Sequence, residues 1–402
     1  MPPPAPRLPE LDALRGFAVL GILAVNIQSF AFVASARVNP TAQGDVGGAH
    51  WWAWWVTRVL ADGKFIAIFA MLFGAGIVLM ADRCLRRGAD PARVHYRRMA
   101  VLFLVGLLHA YLVWYGDVLV TLAVAGSVAY LYRELPVRRL LVTGLVVYAV
   151  GSLAPGLIAW IANGASPASA GGLSSPAPDA IAWETSRYRG PWAEQMQHRA
   201  PTALRLQTSE LALRSLWQLT GLMLVGAALF KSGFLTAERP IRDYVIMGSA
   251  CAATGLPVVV WGVEHAAASG WTSRALAISD QANYWGGLPV ALAWMAAVIL
   301  LCRRASPPRG LVAVGRSALT NYLAQSVVCT SIFYGHGFGL FARIDRAHLL
   351  GLVVAIGLAQ MVASVWWLRR FEQGPLEWLW RRLSYGSQAR RRHDADQSVA
   401  GS

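Results

Sequence analysis

One histidine–aspartate combination stands out among the residues able to do chemistry: His109 precedes Asp117 by eight positions. An imidazole exchanges a proton near neutral pH, so His109 suits general acid–base work, and His50, at the outer boundary ahead of the second span, is a further candidate. His109 and Asp117 sit in an apolar stretch, where an ionisable side chain is costly and usually lines a cavity or pairs with another charge. Asp62 is flanked by Arg58 and Lys64, which reads either as a structural ion pair or as a cavity wall. On one continuous helix His109 and Asp117 would be about 12 Å apart, too far for direct contact. Further polar groups interrupt apolar runs: Asn26 and Gln28, Glu264 and His265, Asn321 and Gln325 at i and i+4, and His336. Read against the expected topology, they describe a polar cavity that opens outward from mid-membrane. The competing reading for the amides is interhelical hydrogen bonding.

The elements carrying these residues follow from composition. Of 402 residues, 56% are hydrophobic and 14% charged, against roughly 25% charge in soluble proteins. This excludes a disordered chain, a coiled coil and a disulfide scaffold, and predicts an all-α, polytopic transmembrane helix bundle. A bilayer core takes about 20 apolar residues in helix. Uncharged runs of suitable length cover 16–36, 65–81, 140–163, 215–230, 244–263, 281–302, 317–335 and 347–368. The stretch 99–132 would be about 50 Å as one helix, so it is read as two short spans joined at Tyr115-Gly116-Asp117. The total is ten. Ala34-Ser35-Ala36 resembles a leader cleavage site, but Glu10 and Asp12 ahead of the first span favour a retained helix.

The net charge of +15 then acquires a meaning. Most of the lysines and arginines fall in alternate connections, as the positive-inside rule requires for ten spans with both termini cytoplasmic. The basic balance is therefore a topology signal that also attracts anionic lipid headgroups, and no nucleic-acid role is expected. Residues 1–386 form a single bundle, with an outer loop at 163–208, a cytoplasmic interfacial helix at 371–386 and a disordered tail at 387–402. The aromatic half of the loop (Trp183, Arg187, Tyr188, Arg189, Trp192) is expected to lie on the outer surface as a lid. His50–Trp55 reads as an interfacial aromatic belt or a substrate wall. The four cysteines have no paired spacing, so free thiols and no metal site are expected. Phe73-Gly74-Ala75-Gly76 reads as close helix packing.

The chain also carries familiar segments. Gly315-Arg316-Ser317-Ala318-Leu319-Thr320-Asn321-Tyr322-Leu323-Ala324-Gln325-Ser326 is followed by Phe333-Tyr334-Gly335, Gly337-Phe338-Gly339-Leu340-Phe341 and Gly374-Pro375-Leu376-Glu377-Trp378-Leu379-Trp380-Arg381. With Asp12-Ala13-Leu14-Arg15-Gly16, Asn26-Ile27, the segment from Lys64-Phe65 to Leu72-Phe73-Gly74, and His109 through Gly116-Asp117, these strongly resemble the YeiB-like family, domain-of-unknown-function family 418. That resemblance implies a multi-pass protein of the bacterial plasma membrane. The opening Leu11–Gly16 segment is also similar to two groups of membrane acyltransferases. One has a histidine ten residues beyond the arginine, where this chain has Asn26. The other tolerates asparagine there and places its histidine in the next outer loop, near the positions of His50 and Asp62.

The wider resemblance implies transfer of an acyl group from a cytoplasmic acyl-CoA to an outer hydroxyl or amine. His50, Asp62, His109 and Asp117 are the catalytic candidates. Arg15, Arg97, Arg98 and Arg316 are candidates for the donor phosphates. Asn26, Gln28, Arg58, Lys64, Glu264, His265, Asn321, Gln325 and His336 would line the cavity. No bound cofactor is expected, acyl-CoA being a co-substrate. The bilayer and a lipid or small-molecule substrate are the expected partners, and a homo-oligomer is compatible with the sequence. The alternative function is a transporter or flippase for a small metabolite or lipid intermediate, although no convincing internal repeat supports it.

Overall fold

The computed structural model describes residues 8–163 and 176–385. The expected tail at 387–402 and the first part of the outer loop lie outside the described residues. Among them every regular element is helical: α1 (Pro9–Ala31), α2 (Ala49–Val56), α3 (Lys64–Arg86), α4 (Pro91–Leu108), α5 (Leu119–Ala129), α6 (Val137–Asn163), α7 (Pro178–Arg189), α8 (Trp192–Arg205), α9 (Leu216–Lys231), α10 (Ile241–Ala268), α11 (Ser273–Arg304), α12 (Arg309–Arg316), α13 (Ala318–Phe333), α14 (Arg346–Leu368) and α15 (Pro375–Tyr385). The protein is an all-α transmembrane bundle. Among the described residues eight helices are long and apolar enough to cross a membrane, some of them built from two consecutive elements. Each of the ten expected segments is helical, the shortest being α5 with 11 residues.

Bulky apolar side chains face outward along the rim helices, including Val142, Val146 and Leu153 on α6 and Val354, Leu358 and Val362 on α14. In water such stripes would be a liability; in a bilayer they face acyl chains. α1 is central. Leu14, Ala18 and Leu23 are fully buried, and the helix packs on α3, α11, α12, α13 and α14.

Small residues make the tightest crossings, as small-residue packing requires. A Cβ on Gly16 would lie 2.0 Å from the Leu311 carbonyl oxygen, and one on Gly315 1.8 Å from that of Asp12. The Asp12–Gly16 and Gly315–Arg316 segments therefore meet face to face. Gly74 similarly abuts the Met223 carbonyl, as its sequence context suggested.

The first and last described helices start at the same end of the bundle. α15 crosses the starts of α4 and α13: Trp380 Nε1 donates to the Arg98 carbonyl (3.0 Å), and Glu377 Oε2 accepts from Thr320 Oγ1 (2.6 Å). Arg15, Arg97, Arg98 and Arg316 all lie at this basic end. The opposite end is built from the connections 32–48, 109–118 and 334–345 with α7 and α8. Ala342 N donates to the Ala31 carbonyl (2.8 Å) and Gly335 N to the Tyr188 carbonyl (2.8 Å).

Candidate functional site

α4 and α5 form a short antiparallel hairpin whose tip carries His109 and Asp117. From Pro91 to Val113 the helix rises about 33 Å, enough to cross the roughly 30 Å hydrocarbon core, and its last turn carries His109. At His109–Val113 α4 widens into a π-type turn, a distortion frequent at functional sites, and Trp114 then leaves the helix in extended backbone. This break overturns the expected 12 Å separation. The chain doubles back, so that His109 Nδ1 and Asp117 Oδ1 are 2.8 Å apart. Asp117 Oδ2 accepts from Val120 N (2.9 Å) and so caps the start of α5. Gly106 makes the fold-back possible: a Cβ there would stand 2.7 Å from Val120 N and 3.0 Å from Asp117 Oδ2.

The pair is sealed from solvent. His109 is 2% exposed and the Asp117 side chain 0%. Nδ1 is engaged by the carboxylate, while Nε2 is buried with no hydrogen-bond partner among the described residues. Such groups are rare, and each calls for an explanation. Tyr322 of α13 completes the surroundings, its ring 5.4 Å from the imidazole and its hydroxyl accepting from Val118 N (3.3 Å).

The expected lid covers this tip. Trp192 Nε1 donates to the Leu112 carbonyl (3.2 Å), and the guanidinium of the fully buried Arg199 donates to the Val113 carbonyl and to Gln195 Oε1. These carbonyls are available because the π-type turn releases them from regular helix pairing. α7 docks alongside: Glu184 Oε1 accepts from Ala34 N (3.1 Å), and Arg189 donates to the carbonyls of Phe341 and Ala342. Tyr188 stacks on Phe341 and leans on Tyr334, while Phe30 stacks on Trp114. His336 reaches the lid with Nδ1 3.3 Å from Gln195 Oε1. Burial, with Arg199 nearby, holds its imidazole below the usual value. Burial pushes the Glu184 carboxyl up, opposed by the Ala34 N–H.

Asp62 belongs to a second cluster, which shares none of the hydrogen bonds of the His109–Asp117 pair. It pairs with Arg58 one turn earlier and with Arg37 (3.3 Å). Lys64, 0% exposed, donates to the Arg58 carbonyl (3.0 Å) and to Asn283 Oδ1. Gln28, Trp54 and Thr57 close a gap of about 10 Å³ against these residues, room for about one water molecule. Among the described residues these polar groups form two compact clusters rather than the outward-opening cavity expected from the sequence. Three cations around one carboxylate give the second an anion-favouring field.

The remaining candidates are dispersed. His50 caps the start of α14, its Nδ1 accepting from Ala347 N (3.4 Å) and its Nε2 3.8 Å from Asp45; it does not join Asp62. Glu264 accepts from Trp55 Nε1 (2.8 Å) and His265 stacks on Trp261, both away from the buried clusters. Asn321 and Gln325 bond Ser364 and Gln360 of α14 and the Val19 carbonyl of α1, so they are interhelical ties rather than cavity walls. Asn26 is half-buried and enters neither cluster. Trp54 is buried in the belt while Trp52 points outward, so the belt both anchors and packs.

At the basic end the four arginines do not converge on one pocket. Arg15 pairs with Asp12 (3.1 Å). Arg98 stacks on Trp380 at 4.3 Å, and Arg97 reaches the Leu383 carbonyl (3.4 Å). Arg316 donates to the Glu372 carbonyl (2.6 Å). The four cysteines are unpaired.

Comparison with known proteins bears on the whole chain. A family model described as "Protein of unknown function (DUF418)" matches residues 229–387. The uncharacterized protein YeiB of Escherichia coli (strain K12) is 34% identical over 396 residues, covering 93% of this chain and 95% of that protein. The uncharacterized protein YxaH of Bacillus subtilis (strain 168) is 28% identical, covering 94% of each.

Proposed function

The chain belongs to the YeiB-like DUF418 family, and from that premise we propose that it is an acyltransferase of the bacterial plasma membrane, taking an acyl group from a cytoplasmic acyl-CoA-type donor to a hydroxyl or amine arriving from the other side. The observation that carries the proposal is the buried His109–Asp117 pair with its unengaged Nε2. Asp117 fixes the tautomer in which Nδ1 bears the proton, which leaves Nε2 as a base. Nε2 takes the proton of the acceptor O–H or N–H as that atom attacks the thioester carbonyl. The tetrahedral intermediate collapses by breaking the C–S bond, and the imidazolium returns the proton to the departing thiolate. Asp117 stabilises the imidazolium between the two steps.

The surrounding groups support this direction of traffic. The basic end is assigned to the cytoplasm by the positive-inside rule, with ten crossings and both termini on that side. Arg15, Arg97 and Arg98 stand there to receive donor phosphates, with α15 beside their entry. The acceptor would approach from the opposite end once α7 and α8 move aside, and excluding water there limits wasteful hydrolysis of the donor.

Sidedness provides the test. Oriented proteoliposomes receive acyl-CoA labelled in the acyl group on the basic face and candidate acceptors on the other. Label covalently attached to a product on the opposite side supports the proposal. Uptake of an unmodified solute with the thioester left intact would replace it with the transport alternative.

A further inference from the structure

We propose that a groove at the basic end, between the start of α1, α12 and the end of α14, is a binding site for the phosphate headgroup of an anionic phospholipid. The groove encloses about 310 Å³ and is lined by Arg309, Arg316 and Arg369 together with the apolar Val312, Val365 and Leu368. Among the described residues none of the three arginines forms an ion pair with a carboxylate; Arg316 donates to the Glu372 carbonyl. Three guanidiniums in one recess, none of them ion-paired among the described residues, are matched by a phosphate oxygen cluster, which arginine grips with paired N–H donors.

The second half of the ligand is specified by the wall below. Val362 precedes Val365 by three residues and Leu358 precedes Val362 by four, so they form one ridge on α14. Leu358 and Val362 are 53% and 70% exposed. This ridge runs from the arginines along the bilayer-facing side of the helix, and an acyl chain laid on it starts at the headgroup position. A nucleotide-bearing thioester carries phosphates as well, but it is a solute of the aqueous side with no need of a bilayer-facing apolar track. The groove also lies apart from Arg97 and Arg98, which contact α15 instead. The site is independent of the acyl-transfer proposal.

The test titrates the purified full chain in neutral detergent with short-chain phosphatidylglycerol and, separately, phosphatidylcholine of the same chain length. Wild type should bind phosphatidylglycerol saturably and with preference. The variant Arg309→Gln/Arg369→Gln should weaken that affinity by roughly 25-fold, about fivefold per arginine removed, and leave the weak phosphatidylcholine affinity unchanged. The variant Arg86→Gln/Arg87→Gln, at exposed positions of the same end, should bind as wild type. An equal loss in that control, or an equal loss for phosphatidylcholine, would overturn the site. Displacement of phosphatidylglycerol by coenzyme A with the same arginine dependence would reassign the groove to the donor. A changed oligomeric state with unchanged lipid affinity would make it a subunit interface.

Discussion

Replacing Asp117 by asparagine separates the two jobs its carboxylate performs. One oxygen faces His109 Nδ1 at 2.8 Å and the other accepts from Val120 N at 2.9 Å. An asparagine has one acceptor oxygen and one donor amide, so it cannot do both. If its oxygen keeps the α5 cap, the amide faces Nδ1, turns that nitrogen into an acceptor and places the imidazole proton on Nε2. The base is then lost, with a fall of about 10²–10⁴ in kcat. If the oxygen faces Nδ1 instead, the tautomer survives but the charge is gone. A charge-assisted bond exceeds a neutral one by about 1–2 kcal/mol, or roughly 5–30-fold in rate. The amide is then set against the Val120 N–H, which costs stability by about 1–3 kcal/mol. The assay follows thiol release from acyl-CoA over a range of donor concentrations, with thermal unfolding of the same preparation. The expected outcome is a lower kcat at nearly constant donor KM, with the larger rate loss accompanying the smaller stability loss. Wild-type kcat in a folded Asp117→Asn protein would refute the argument.

Other predictions test neighbouring parts. Gly106→Ala should push the Asp117–Val120 turn off α4 and lower kcat while donor binding persists, measured by the same kinetics; unchanged turnover would mean that the fold-back tolerates a Cβ. Asp62→Asn should destabilise the protein by about 3–5 kcal/mol, because Arg58 and Lys64 are left buried without a carboxylate, and Arg58→Met added to it should restore part of the loss in chemical unfolding. Arg15→Ala should raise the donor KM more than the acceptor KM; equal effects would make Arg15 structural. Lid docking should depend on pH. His336 is held below its ordinary value when docked, so the undocked lid binds more protons and docking weakens as pH falls below about 6.5. Glu184, raised by burial, works in the opposite sense, since its protonation favours docking. Hydrogen exchange of 178–189, corrected for the intrinsic rate, should therefore show opening that grows as pH falls through about 6.5 and is offset at lower pH as Glu184 protonates, and His336→Gln should remove the first part of that dependence.

The bundle was legible in the sequence because bilayer physics leaves few options: apolar runs become helices and arginines stay on one side. The candidate site was legible only in its residue types. His109 and Asp117 could be picked out as ionisable groups in apolar runs, but their contact depends on a helix that breaks after His109 and on Gly106 admitting the returning turn. Neither has a periodic signature. Gly116 beside Asp117 was the one local hint, and it led to a span boundary rather than a side-chain pair. Arg37 and Arg199 went unmarked because a loop arginine looks like any surface charge. Arg199 is fully buried against the Val113 carbonyl and Gln195, while Arg37 stays nearly half exposed and reaches Asp62 from the 32–48 connection. Asn321 and Gln325 illustrate the reverse: two amides on one helical face suggested a cavity, and the structure uses them to tie α13 to α14 and α1. His50 was placed by similarity with Asp62, whereas its neighbours are Asp45 and the start of α14.

Single-turnover transfer is the direct measure of whether His109 Nε2 acts as the base. Purified wild-type protein in proteoliposomes, given acyl-CoA labelled in the acyl group and an acceptor hydroxyl or amine, should release free thiol and labelled product in equal amounts. His109→Gln should retain donor binding and fall by at least about 100-fold in rate. Equal single-turnover rates for wild type and a folded His109→Gln protein would contradict the account.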